Sequence, residues 1–540
     1  MEEQTRTLSL AQVLKLRLND ITPEHLSVFP GMTGWFKPIL LAKLLLNVIV
    51  SEMFGQYADR RLVHAALDKQ TPEEARARSD VSEELRREDG DVWIDYIADL
   101  GDGFDATYAM AYLLAQPDIE VEIDGRQEIL PRAGALFMGG DEVYPTASRP
   151  AYNAQLMKPY SLAWPDTREP DGPPLFALPG NHDWYDGLVV FLAIFCRVKS
   201  SRIGNWRTRQ RRSYFSARVA ENWWVWGIDI ALVRDMDQPQ ADYFVDAAEH
   251  MPNNANIILC SAEPGWYDAE GDGDSFRTLD YAASILLNAK KDLRIPLILS
   301  GDSHHYARYT GAKSQFITAG GGGAFVHGTL NLQPEIQAKW LKVDDTLKLS
   351  VAYPTQAQSK TLLDAGTSFF AKNPEFSYTL GIVYWIFAFV LTSLWRVDVA
   401  IILYLTLAVV FWGYFRYSEN AFSWITLFYS VGQATAHALA IGAIAAAGNY
   451  LQSEFLPPLH WFFRASLLFI FAVPIGARLG ALIFGQYLRL TCKYAGKNHN
   501  DAFSAMKLDS YRNFLRIRIR GDEVTVYPIG VDSIPNDLHP

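Results

Sequence analysis

Five short apolar runs between residues 90 and 310 each end in side chains able to bind a divalent cation or to carry a proton. They are WIDYIAD (93–99), GALFMGGD (134–141), PLFALPGN (174–181), NIILCSAE (256–263) and PLILSGDSHH (296–305). Flanking residues extend the clusters: ADLGD holds Asp99 and Asp102, GGDEVYP holds Asp141 and Tyr144, and GNHD holds Asn181, His182 and Asp183. Glu263 closes the fourth run, and Asp302 and His304 lie in the fifth. Carboxylates, a carboxamide and imidazoles are ligands for hard and borderline divalent metals. A single cluster of this kind is ordinary loop chemistry. Five in succession point to one site.

For these ends to meet, the runs must be neighbouring strands. Each is short and continuously apolar, as strands covered on both faces are, and ligands collect at the C-terminal ends of such strands. Stretches 106–116 and 280–290 between them read as helices, so the fold class is α/β.

At GNHD (180–183) and GGDEVYP (139–145) the sequence resembles the calcineurin-like metallophosphoesterase superfamily. The resemblance runs from about 91 to 323, with the motifs in family order and a glycine-rich ITAGGGGA (317–324) after the last. The arrangement also resembles a membrane-fused branch with C-terminal transmembrane helices. The resemblance implies a four-layer αββα sandwich and two divalent metals bridged by one aspartate, with a bridging hydroxide as nucleophile. It assigns Asp99 as first-site carboxylate, Asp141 as the bridge, Asn181 as amide ligand and His304 as the second histidine of a Gly-His-x-His motif. By the same resemblance His182 is the catalytic histidine that does not bind metal, expected to give a proton to the leaving oxygen or stabilise phosphoryl charge. Asp183 is expected to orient its ring. Two cations can hold both the attacking and the leaving oxygens of an in-line displacement.

Three positions depart from the usual motifs. Asp99-Leu100-Gly101 stands where Asp-x-His is usual, as in members resembling purple acid phosphatases, which use the tyrosine of Gly-Asp-x-x-Tyr. Gly140, Asp141 and Tyr144 have that spacing, so Tyr144 is a candidate phenolate ligand or a Tyr-Pro turn residue. Asp102 is a second candidate for the vacancy, or a turn residue. The fourth motif, Cys260–Pro264, has no histidine, leaving Glu263 as ligand or as a solvated or supporting group. In the fifth, Asp302 replaces the first histidine. A second site of Asp141, Asn181, Asp302 and Glu263 is rich in oxygen. Mn²⁺ is therefore the expected metal, with Mg²⁺, Fe and Zn²⁺ as alternatives. The opposing reading is a weak second site and impaired catalysis.

The basic segment 199–215 follows GNHD, and Arg211 or Arg212 is a candidate for gripping substrate phosphate or lipid headgroups; otherwise the segment is a solvated loop. The run 188–195 reads as a core helix or a membrane-facing lid. Gly320–Gly323 suits close backbone approach, since no GK[ST] follows it.

Beyond the clusters, stretches 377–395, 399–415, 421–448 and 465–488 are long enough to cross a bilayer, which takes roughly 20 residues. The first three contain no Lys, Arg, Asp or Glu. Arg416, Arg489, Lys493 and Lys497 fall on the side of the N-terminal domain, against Arg396 and Arg464 opposite, which favours a cytoplasmic N-terminal domain and C-terminus. Arg478 inside the fourth stretch is costly, so it either pairs with a lipid phosphate or snorkels. Gly476 and Gly480 suit close helix packing or a homo-oligomer. The apolar run 38–50 reads as an interfacial helix or as a cover on the soluble domain. LRIRIRGDEVTVYPIGVD alternates about Gly521 and Asp522 as a β-hairpin expected to pack on the soluble domain. A net charge of −11 disfavours nucleic-acid binding, and three scattered cysteines suit a reducing compartment.

The expected organisation is an N-terminal helical region (1–88), a metallophosphoesterase domain (89–345), four transmembrane helices (374–490) and a tail with the hairpin (491–540). The expected function is a multi-pass, membrane-anchored phosphomonoesterase or phosphodiesterase with the bilayer and a phosphoester, lipid-linked or not, as partners. The alternative is a membrane scaffold or sensor that has lost catalysis.

Overall fold

The computed structural model describes residues 30–54, 60–123, 125–164, 172–231, 235–271, 274–289, 292–365, 368–394, 396–419, 424–455 and 460–534. Expectations for residues 1–29, for Trp395 and for 421–423 lie outside the described residues. The first described helix, α1 (Pro38–Phe54), begins on a proline, where a missing N–H costs nothing. It leaves Ile39, Leu45 and Leu46 exposed.

The chain forms two compact units. One takes the described parts of Met1–Thr33, Leu44–Thr355 and Asp509–Pro540, and the other Gly34–Lys43 with Gln356–Leu508. Strands of the first unit, in chain order, begin with β1 (Val92–Ile97), the hairpin β2 (Asp118–Ile123) and β3 (Arg126–Pro131), β4 (Ala135–Met138) and β5 (Pro174–Ala177). Next come β6 (Arg202–Ile203), β7 (Trp206–Thr208), β8 (Phe215–Ala220), β9 (Trp223–Ile228), β10 (Asn256–Ser261) and β11 (Arg294–Ser300). The series ends with β12 (Tyr306–Thr310), β13 (Gln315–Ala319), β14 (Glu335–Trp340), β15 (Val343–Tyr353), β16 (Arg512–Arg520) and β17 (Glu523–Val531).

They build a seven-stranded sheet in the order β17-β16-β1-β4-β5-β7-β6 and an eight-stranded one in the order β14-β15-β12-β13-β11-β10-β9-β8. Strands β1, β4 and β5 run parallel, as do β9, β10 and β11. The two-residue alternation of strand side chains feeds both faces of each sheet. Ile94, Tyr96, Phe137 and Phe176 of the first sheet meet Phe215, Val225, Ile258 and Leu297 of the second in one buried cluster. Their neighbours Ile97, Leu136 and Leu175 face the other way, onto α2 (Phe104–Ala115) and α3 (Val189–Phe195). Trp226, Ile257 and Ile298 likewise pack on α4 (Gln238–Glu249) and α5 (Asp274–Ala289). Sheet lies on sheet with helices outside. The run at 188–195 is part of this packing, with Phe191 and Phe195 fully buried.

The hairpin turns at Gly521, whose φ of 57° favours glycine, and β16 joins the first sheet antiparallel to β1, pairing Ile517 with Ile94.

The second unit holds four helices long and apolar enough to cross a membrane: α6 (Pro374–Leu394), α7 (Val397–Glu419), α8 (Trp424–Phe455) and α9 (Trp461–Ala495). By length and composition they mark a membrane protein. Gly476 and Gly480 of α9 are covered by Tyr384 and Leu380 of α6, so the small-residue face is used within the chain. The Tyr384 hydroxyl lies 2.7 Å from Nδ1 of His437, a polar contact that joins α6 to α8.

Candidate functional site

The five runs form β1, β4, β5, β10 and β11, and the loops after them converge. Asp99, Asp141, Asp302 and His304 all have left-handed backbone, with φ of 58°, 54°, 65° and 38°. Such conformations cost a non-glycine residue on the order of 1–3 kcal/mol and collect at functional sites. Close approach is enforced as well, because a Cβ on Gly320 would strike Asp99 Oδ2 and one on Gly180 would strike Asp141 Oδ1.

The Tyr144 hydroxyl is the centre of the cluster. It lies 3.0 Å from Asp99 Oδ1, 3.0 Å from Asp141 Oδ2 and 2.9 Å from His304 Nε2. Nδ1 of His304 is 2.9 Å from the Phe325 carbonyl. A carbonyl only accepts, so Nδ1 carries the ring proton and Nε2 presents a lone pair. One phenolic proton thus faces three acceptors. Two further buried atoms, Asp99 Oδ2 and Asn181 Oδ1, have no hydrogen-bond partner among the described residues.

The electrostatics run the same way. Burial, with Asp141 and Asp302 nearby, holds the Asp99 carboxyl well above its usual range. Burial, with Asp183 nearby, pushes Asp141 up to about 8. Tyr144 is raised strongly by burial and by Asp141 and Asp99. His304 is held well below its ordinary value by burial, His327 and His182. The cluster is short of positive charge. Among the described residues no group of three or more His, Cys, Asp and Glu forms a metal-ready cluster, and here the acceptors are joined through the tyrosine oxygen. Asp99, Asp141, Tyr144 and His304 are of ligand type, and a cation held among them would supply the missing charge.

The ring of His182 packs 4.4 Å from that of Tyr144, and its Nδ1 lies 2.7 Å from the Pro145 carbonyl. Its backbone amide donates to Asp141 Oδ1 at 2.9 Å. Burial lowers its pKa.

Other predicted residues sit differently. Asp183 does not orient the His182 ring. The helical turn Asn181–Trp184 starts on Gly180, which places Asp183 where its side chain turns back to the Gly180 amide at 2.9 Å. It also accepts from the Glu142 amide and the Tyr152 hydroxyl. Asp102 accepts from the amides of Thr33 at 3.0 Å and Phe325 at 3.4 Å, bracing two loops. Glu263 is half-buried and accepts from the Ser275 hydroxyl at 2.5 Å, yet it still raises the pKa of Asp141. The side chain of Asp302 is exposed, while its amide donates to Asp99 Oδ1 at 3.1 Å. Arg211 and Arg212 are held by Asp68, at 2.8 and 3.5 Å, and Arg212 also lies over Tyr214 and Tyr243. The carboxylate that claims them is distant in sequence.

Two residues escaped the sequence reading. Glu142 is fully buried, and burial, with Asp183 nearby, raises its pKa well above the usual range. Its signal was an acidic pair, Asp141-Glu142, at the end of an apolar run. Arg512, at the start of β16, is also fully buried and donates to the Ala324 carbonyl. Its positive charge faces Asp102 and Asp99, among others, and burial pulls it down to about 10.

No protein-family model and no curated protein matches the chain. One solved structure is similar, described as "GAP50 the anchor in the inner membrane complex of Plasmodium". It is 15% identical, covers 44% of this chain and 74% of its own, and has a TM-score of 0.29. That likeness is too remote to carry an argument about fold or function.

Proposed function

We propose that the chain is a membrane-anchored, metal-dependent phosphoester hydrolase on an αββα sandwich of the metallophosphoesterase type. The observation that carries this reading is the single Tyr144 proton set among Asp99, Asp141 and His304. Asp99, Asp141, Tyr144 and His304 would hold one cation, and Asp141 and Asn181, with Asp302 and Glu263 at the margin, a second. Mn²⁺ suits such an oxygen-rich set, with Mg²⁺ next. Bound there, divalent metal supplies the Lewis-acid charge that phosphoester hydrolysis requires.

The protein's own groups do the rest. Tyr144 and the glycines at 180 and 320 fix the carboxylates. The Pro145 carbonyl fixes the His182 tautomer with Nδ1 protonated, so proton exchange with a leaving oxygen runs through Nε2. Asp183 ties the loop after β5 to the loop after β4 and thereby places His182 beside Tyr144. The apolar helices support a substrate drawn from the membrane, processed at the cytoplasmic face that the lysine and arginine distribution favours.

The test is purified full-length protein with Mn²⁺ and either an aryl phosphate or a bis-aryl phosphodiester. Loss of Asp141 in Asp141→Ala should lower turnover by more than the roughly 10–100-fold typical of groups that only support a ligand. Absence of metal-dependent turnover on either substrate overturns the reading. A scaffold without catalysis is the second reading, favoured by the exposed Asp302 and by the Glu263–Ser275 bond. A chain that binds no metal and turns nothing over selects it.

A further inference from the structure

The second unit contains a cavity of about 480 Å³ bounded by α9, by Leu363 and residues 368–370, and by Ala502, Ala505 and Met506. That volume is within the range of small-ligand sites, roughly 300–1,000 Å³. Its wall is mostly apolar, with Phe369, Phe370, Leu482 and Met506 among the lining residues. Arg478 and Arg489 also line it, and among the described residues no acidic side chain does. They are eleven residues apart on α9, about three turns, and so fall on one stripe of the helix roughly 16 Å apart.

The two arginines differ in their partners. Arg489 lies 3.0 Å from Asp364 Oδ1, and Lys493 shares the same carboxylate at 2.5 Å. Among the described residues no carboxylate lies within ion-pair distance of Arg478. Its guanidinium reaches only the Pro474 carbonyl of its own helix, at 3.3 Å, and the Phe370 ring, 5.2 Å from the centroid. An arginine within an apolar helix is costly unless it meets an anion or a polar cavity. Here the wall is mostly apolar, Asp364 offsets the charge of Arg489, and the charge of Arg478 stands without a carboxylate among the described residues. A guanidinium recognises phosphate through paired N–H donors, and an acyl chain suits the remaining wall.

We propose that this cavity binds one anionic phospholipid, with its phosphate against Arg478 and an acyl chain along the Phe369, Leu482 and Met506 wall. The site is separate from the Asp141 cluster, so Asp141→Ala protein should bind the lipid unchanged whatever its effect on turnover.

The experiment uses the full chain in detergent, titrated with phosphatidylglycerol, phosphatidylcholine or inorganic phosphate and read by native mass spectrometry. One phosphatidylglycerol per chain should remain bound, at least tenfold more than in Arg478→Gln. Arg464→Gln, outside the cavity wall, should match the unaltered protein. Arg478→Lys should retain part of the binding, keeping charge without the planar fork. Equal retention in Arg478→Gln overturns the proposal. Equal retention of phosphatidylcholine overturns it too, and this comparison needs no variant. Displacement by millimolar inorganic phosphate would assign a free-anion site instead of a lipid site.

Discussion

At the residue scale, Asp99, Asp141 and His304 set three acceptors around the one Tyr144 proton, an arrangement that further protons or a bound cation would relieve. With no cation, the Asp141 carboxyl, pushed up to about 8 by burial and Asp183, keeps its proton while the unfolded chain loses its own near 3.8. Between those values the folded state binds more protons than the unfolded state, so stability falls as pH rises. A metal bound there would oppose that slope, because its ligands would have to shed protons to hold it. Chelator-treated protein should therefore show a Tm that declines from about pH 4 to pH 8, and Mn²⁺ should raise Tm most at the alkaline end. Parallel Tm–pH curves with and without Mn²⁺ would remove Asp141 from the ligand set. Tyr144 was legible here because Gly140, Asp141 and Tyr144 stand at a fixed spacing on one loop. The role of Asp183 was not, since it depends on the helical turn starting at Gly180. The pairing of Arg211 and Arg212 with Asp68 was not legible either, because that carboxylate is some 144 residues away in the chain.

Among the elements, β1 has the most unusual neighbour. Its Asp95 and Arg516 of β16 form a two-bonded ion pair, with Nε to Oδ1 at 2.9 Å and Nη2 to Oδ2 at 2.8 Å, and both side chains are fully buried. Arg516 also donates to the Leu130 carbonyl at 3.3 Å, so one guanidinium secures three segments. Breaking a buried pair from one side leaves an uncompensated charge, at a cost of about 3–5 kcal/mol. Arg516→Met should lower stability by about that amount in denaturant unfolding, and adding Asp95→Leu should recover most of it. If the double variant is no better than the single one, Asp95 is not the group left stranded. The five strands that carry the site were legible as continuous apolar runs, and the C-terminal hairpin from its alternation about Gly521. What stayed hidden was the pairing, because β1 and β16 are separated by 421 positions and no local pattern records a partner that remote.

For the whole molecule, the chain leaves the first unit after Thr355, builds the apolar helices, and returns at Asp509 to complete the sheet it left. The four helices were legible from length and the scarcity of charge alone. Their exposed Ile401, Ile402, Val409, Phe428, Ile470 and Phe471 form apolar surface of a kind that soluble monomers seldom present. The first unit is discontinuous in sequence, so a fragment ending at residue 355 lacks β16 and β17. Such a fragment would expose the long edge of β1, which templates aggregation, and leave Asp95 buried without Arg516. Arg512, which faces Asp102 and Asp99, would be lost as well. Residues 30–355 expressed alone should therefore aggregate and be digested rapidly by trypsin. The same fragment joined through a long Gly/Ser linker to residues 509–534 should elute as a monomer and resist digestion. A stable, protease-resistant monomer from the shorter fragment would show that the returning strands only cover the sheet and do not hold it together.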